Sequence, residues 1–197
     1  MNKQSLQLSV LTEGAAIVAM ATALSFLPLS TPHGAIAIQL GAIPLIMFSL
    51  RRGGKAGLIA GFVFGLVQIV DGVAFRGFLS VAQLILEFPV ASTMLGIGGL
   101  FANKIVIVTE SKLKIDLFEL SLAAVIATVA AWSCHYIAGA VVLREYMPKG
   151  VNPYIYSLAF NGTSALLNSV VAVIVLIMIA LMAPQLFVVT NATKKRI

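Results

Sequence analysis

Residues 158–183 read LAFNGTSALLNSVVAVIVLIMIALMA, a run of 26 residues without one Lys, Arg, Asp or Glu. Roughly 20 apolar residues suffice to carry an α-helix across the hydrocarbon core of a bilayer, so this run reads as a transmembrane helix. The chain around it has the same character. Of its 197 residues 60% are hydrophobic and 10% charged, where a soluble domain carries about 25% charged residues. A chain this short cannot hide so much apolar side chain from water, so its solvent is lipid. At roughly 20 residues per span the length allows about five to seven helices and no separate soluble domain. Residues 1–197 are therefore read as a single membrane domain.

Working outward from that run, further apolar segments fall at about 8–28, 36–50, 56–71, 80–102 and 117–142. Breakers and charges separate them: Leu27-Pro28-Leu29-Ser30-Thr31-Pro32, Arg51-Arg52-Gly53-Gly54-Lys55, and a charged loop at 103–116. The first segment is too long for the apolar core of a signal peptide and reads as a retained helix. With the N-terminus inside, Lys3, Arg51, Arg52, Lys55, Lys104, Lys112, Lys114, Lys194, Lys195 and Arg196 all fall on the cytoplasmic side. Only Arg76, Arg144 and Lys149 remain outside, and that bias arises only with an even number of spans. The reading is an all-α integral membrane bundle of six transmembrane helices with both termini cytoplasmic.

The formal net charge of +6 needs no nucleic acid to explain it, because the basic residues sit in short loops where they orient a membrane protein. The single cysteine, Cys134, precludes an internal disulfide and reads as a buried thiol. The two histidines lie far apart in sequence, and no metal site, cofactor motif, phosphate-binding loop or Ser-His-Asp set is expected. The two halves carry no matching broken segments, which argues against an inverted-repeat transporter. An intramembrane enzyme or a channel is the rival class. The first lacks a nucleophile beside His135 or a pair of aspartates, and the second lacks polar residues lining several helices.

Small residues recur four apart at Ala15, Ala19 and Ala23 and again at Gly57, Gly61 and Gly65, so each set shares one helix face. Such faces let helix backbones approach closely in lipid. For the glycines, packing inside the bundle is expected. For the alanines, internal packing and a partner protein both stay open. Glu87, in Leu86-Glu87-Phe88-Pro89, is a carboxylate at membrane depth, where insertion costs about 2.5–3.5 kcal/mol. It must face a cavity, a ligand or a polar neighbour, and Pro89 points to local helix distortion there. His135 lies on the outward half of the fifth segment, as a core residue or a ligand contact. Tyr156 and Asn161 open the sixth segment, with Trp132, Tyr136, Tyr146 and Tyr154 at the rim. An acid, an imidazole, an amide and phenols suit an uncharged or cationic heteroaromatic ligand. Glu13 is placed within reach of interfacial water and Asp71 at the outer end of the third segment.

These stretches resemble the substrate-binding S-components of energy-coupling factor vitamin transporters, and most of all their thiamine-specific branch. The matching residues are Leu11-Thr12-Glu13-Gly14-Ala15, Ile43-Pro44, Phe48-Ser49-Leu50-Arg51-Arg52-Gly53, Ala56-Gly57-Leu58 with Gly61 and Gly65, Leu86-Glu87-Phe88, Gly99-Leu100-Phe101, His135-Tyr136-Ile137-Ala138-Gly139 and Tyr156-Ser157-Leu158-Ala159 with Asn161-Gly162. They run in order along nearly the whole chain. The resemblance implies a six-helix subunit of the bacterial cell membrane, without enzymatic activity, that captures a vitamin from outside. Its implied partners are a transmembrane T-component and two cytoplasmic ATPases. It implies that Glu87, His135, Tyr156 and Asn161 line the pocket, that the glutamate pairs with an aminopyrimidine, and that Ala15, Ala19 and Ala23 dock the T-component. The family's thiamine binders carry tryptophans at the positions matching Ala35, Phe64 and Leu143. Their replacement here leaves thiamine, its hydroxymethylpyrimidine half and a pyridoxine-like ring as the ligands to decide between.

Overall fold

The computed structural model describes residues 3–27, 29, 31, 36–109, 112–147 and 149–189. Their helices are α1 (Lys3–Ser25), α2 (Ala42–Arg52), α3 (Gly54–Val70), α4 (Val81–Phe101, its last seven residues 3₁₀), α5 (Leu117–Val142) and α6 (Pro153–Met182), with 3₁₀ turns between α3 and α4 and between α5 and α6. Four of these, namely α1, α4, α5 and α6, are long and apolar enough to cross a membrane, and α3 is a shorter apolar helix. The fold class is all-α and membrane-embedded, as the composition requires.

The second segment departs most from the sequence reading. Its helix begins at Ala42 rather than near 36. Its eleven residues rise only about 16 Å, half the hydrocarbon thickness. Residues 36–39 before it form no helix, and α6 explains why. Asn168 Oδ1 accepts from the Gln39 N–H at 2.7 Å, Asn168 Nδ2 donates to the Ala37 carbonyl at 2.7 Å, and Ser164 Oγ accepts from the Ala37 N–H at 3.3 Å. Irregular backbone at membrane depth survives when protein groups satisfy it in this way.

Local signals set the other boundaries. Asp116 accepts from the N–H groups of Phe118 and Glu119 and caps α5. Asn152 caps α6 through Tyr154 and Ile155 with Pro153 at the first helical position, so α6 starts five residues before the expected 158. Gly53, at φ 90°, turns α2 sharply into α3. The loop expected at 103–116 contains an antiparallel hairpin, β1 (Val106–Thr109) with β2 (Lys112–Ile115), Val106 facing Ile115 and Thr109 facing Lys112. The first helix starts at Lys3 and ends at Ser25, against an expected 8–28. Pro28, Ala35 and the basic cluster Lys194, Lys195 and Arg196 lie outside the described residues.

The glycine face is internal. A Cβ on Gly61 would sit 2.1 Å from the Ser92 carbonyl oxygen, and one on Gly65 would sit 2.5 Å from Phe88 O and Pro89 Cα. Gly96 and Gly99 on α4 return the contact, with Cβ positions 2.2 Å from Leu58 N and 2.4 Å from Gly54 N. Helices α3 and α4 thus touch backbone to backbone along their length, an approach only glycine allows. The alanine face is the opposite case: α1 buries Ile17, Val18 and Ala21, while Ala15, Ala19 and Ala23 are exposed.

At the end where α2 turns into α3, Glu13 bonds both Arg51 (2.6 Å) and Arg52. Arg51 also donates to the carbonyls of Gln185, Leu186 and Val188 beyond α6. Glu13, which the sequence leaves to interfacial water, is therefore an internal ion-pair partner ten residues into its helix.

Candidate functional site

Each of α4, α5 and α6 departs from regular α-geometry once into a π-helical turn, at Leu86–Val90, Ala138–Val142 and Leu158–Gly162. Such turns expose backbone groups and recur at functional sites. All three lie at the same end of the bundle. The start of α4 packs on the α5 turn, the start of α6 packs on that same turn, and the α4 turn packs on α5. Glu87 and Asn161 sit within two of these turns, and His135 lies just before the third.

In α4 the cause is Pro89, which has no N–H for the helical ladder. Opposite it, Gly65 of α3 admits the Phe88–Pro89 backbone, so the glycine face fixes how deep the Glu87 turn sits. Glu87 is half-buried, and its Oε2 accepts from Gln83 Nε2 at 3.0 Å. Gln83 is itself buried, and its Oε1 accepts from the Leu79 N–H at 3.0 Å.

Between α5 and α6 the carbonyls near the π-turn are taken up by side chains of α6. Ser157 Oγ donates to the Tyr136 carbonyl at 2.8 Å. Asn161 Nδ2 donates to the His135 carbonyl at 3.3 Å and to Ser157 Oγ at 3.1 Å. Gly139 makes this approach possible, because a Cβ there would lie 2.5 Å from Ser157 Oγ. With its Nδ2 engaged by the protein, Asn161 presents Oδ1 as an acceptor.

The structure thus brings His135, Tyr136, Asn161 and Tyr156 together at the α5–α6 seam and sets Glu87 on the neighbouring α4. Tyr156 is half-buried with its ring 4.7 Å from that of Phe160. Trp132 is not at the rim: it is 7% exposed and lies behind His135, ring centroids 4.6 Å apart at 36°. Tyr146 and Tyr154 are exposed, and Tyr146 donates its hydroxyl to the Leu79 carbonyl at 3.4 Å. Asp71 serves the turn after α3, accepting from the Val73 N–H at 2.9 Å. Phe64 is in the apolar core, and Leu143 closes the π-turn of α5. Among the described residues no three His, Cys, Asp or Glu side chains are placed to hold a metal ion.

Two contributors were passed over in the sequence. Gln83 precedes Glu87 by four residues and Ser157 precedes Asn161 by four, so each shares the face of the residue it supports. That spacing was the available signal. Away from this end, an apolar groove of about 260 Å³ runs between α1 and α3, bordered by Val10, Gly14, Ala15, Phe48 and Ala60.

Comparison with known proteins gives one consistent answer. The family described as "Thiamine transporter protein" matches residues 11–188. The curated thiamine transporter ThiT of Lacticaseibacillus paracasei is 37% identical over 188 residues, covering 94% of each chain. ThiT of Bacillus subtilis is 36% identical, covering 93% of this chain and 96% of its own. A solved structure of ThiT from Listeria monocytogenes superposes with a TM-score of 0.80 at 27% identity, covering 93% of this chain and 99% of that one.

Proposed function

The chain belongs to the thiamine transporter protein family, and from that premise we propose that it is the subunit that captures thiamine at the outer face of a vitamin importer. It is a multi-pass protein of the bacterial cell membrane and a transporter component rather than an enzyme. The observation that carries the proposal is the convergence of three π-turns at one end, where a half-buried carboxylate and the Asn161–His135 pair hold acceptors ready. An aminopyrimidine ring offers the complementary donors, and the tyrosine rings offer faces for stacking. Glu87 accepts from the exocyclic amine, while Asn161 and Tyr156 bound the ring with His135, Tyr136 and Trp132 behind them.

Transport, in this reading, draws its energy from elsewhere. The chain is an S-component of an energy-coupling factor importer, spans the membrane six times with both ends cytoplasmic, and docks on a T-component driven by two ATPases. Exposure of Ala15, Ala19 and Ala23, the first of them on the edge of the apolar groove, supports α1 as the docking helix. Ala19→Trp should then abolish uptake in vesicles holding the complete importer while leaving vitamin affinity in detergent intact. Normal uptake would move the docking surface elsewhere.

Native mass spectrometry of the detergent-purified protein tests the ligand. The expected adduct has the mass of thiamine. Phe64 and Leu143, where relatives place tryptophans, favour a second reading, and an adduct of hydroxymethylpyrimidine or a pyridoxine-like ring would establish it. A protein that carries and binds none of them overturns the capture role.

A further inference from the structure

Gln83 is 8% exposed in the first turn of α4, one helical turn before Glu87. The direction of its amide follows from its surroundings. The Leu79 N–H is a donor, so the atom 3.0 Å from it is the acceptor Oε1, and the donor Nε2 must face Glu87 Oε2, 3.0 Å away. The segment that carries Leu79 is tied at its next peptide as well, where the Tyr146 hydroxyl, from the loop after α5, donates to the Leu79 carbonyl at 3.4 Å. Ser80 caps the same turn through the Ala82 N–H. Glu87 itself lies in a π-turn with Pro89 two residues on, and the bond its carboxylate makes is the one to Gln83. Gln83 therefore decides which way that carboxylate points. It donates to one oxygen and leaves the other, Oε1, to accept from a ligand.

We propose that Gln83 is a positioning residue for ligand recognition, holding the Glu87 carboxylate as a fixed acceptor and so setting the preference for a ligand that bears an exocyclic amine. The proposal rests on the thiamine reading above. A side chain that only packed the helix would affect every ligand alike. One that acts through Glu87 affects ligands in proportion to their use of Glu87.

The test is calorimetric titration of the intact, detergent-solubilised protein with thiamine and with an analogue whose pyrimidine amine is replaced by hydrogen. Gln83→Met, of similar volume but without the hydrogen bonds, should weaken thiamine binding about tenfold, the scale of one hydrogen bond to a charged group, and change analogue binding by less than about twofold. In a Glu87→Gln background the same substitution should add less than about twofold, since coupled residues are not additive. Gln83→Asn, which keeps the amide but is too short to reach the Leu79 N–H and Glu87 together, should behave as Gln83→Met and stands in if that variant misfolds. Equal losses for both ligands, or full additivity with Glu87→Gln, would overturn the positioning role while leaving thiamine capture standing. Wild-type protein that binds neither ligand overturns the thiamine reading itself.

Discussion

At one end of the bundle Glu13 bonds Arg51 and Arg52, and Arg51 closes over the carbonyls of Gln185, Leu186 and Val188. At the other, Gln83, Ser157 and Asn161 hold the backbones and side chains around three π-turns. Both ends are rich in polar contacts. At the arginine end opposite charges meet one another, and the bonds tie α1, α2 and the segment after α6 together. At the π end each contact leaves a capacity unspent, Oε1 of Glu87 and Oδ1 of Asn161. A ligand site in lipid is thus recognised less by how polar it is than by what its polar groups still have to offer.

The sharpest way to break that contrast is to remove the charge from the arginine end. Glu13→Gln leaves two neighbouring guanidinium groups without their anion. Loss of one partner of a buried pair costs about 3–5 kcal/mol, and because Glu13 keeps 24% of its side chain exposed the expected loss is nearer 2–3 kcal/mol. Denaturation in mixed micelles should show it, with thiamine affinity unchanged in the protein that remains folded. A large affinity loss would mean that the two ends are not independent.

A gentler comparison uses one substitution on one helix face. Gly65→Ala pushes against Phe88 and Pro89 and so against the Glu87 turn, whereas Gly57→Ala pushes against Ser49 and Gly96, two turns nearer the arginines. Both should destabilise by about 1–3 kcal/mol, the usual cost of overpacking. Gly65→Ala should in addition weaken thiamine binding severalfold, and calorimetry on the two variants side by side reads the difference. Equal affinities would detach the glycine face from the site. The smallest effect is expected from Ser157→Ala, which frees the Tyr136 carbonyl and one bond of Asn161. About 1 kcal/mol of binding should be lost, the typical net value of a hydrogen bond. No change at all would mean that Asn161 is held by the His135 carbonyl alone.

What could be read in the sequence follows from the range over which each signal acts. Residues 158–183 announced a membrane helix because hydropathy is a property of the segment itself. Glu87 stood out because a carboxylate at membrane depth demands a reason, and the glycine spacing 57, 61, 65 carried its packing partner implicitly. The late start of α2 was not legible. Residues 36–41 are as apolar as a helix, and what holds Ala37–Gln39 out of one is Asn168 on α6, more than 120 residues away. The π-turns were half legible: Pro89 marks the one in α4, but those at Ala138–Val142 and Leu158–Gly162 hold no proline. Trp132 was misplaced to the rim because amphipathic rings favour interfaces on average, while here the ring backs His135. The hairpin at 106–115 went unread because its strands are only four residues long and the second carries Lys112 and Lys114.

The central claim is that the vitamin binds at the π end, through Glu87. Titration calorimetry of Glu87→Gln against thiamine, with Glu13→Gln as the reference from the opposite end, tests that claim most directly. The predicted result is a loss of about 1.5–3 kcal/mol for Glu87→Gln, the range for a hydrogen bond to a charged group, beside wild-type affinity for Glu13→Gln. A folded Glu87→Gln protein that binds thiamine as tightly as the wild type would contradict it.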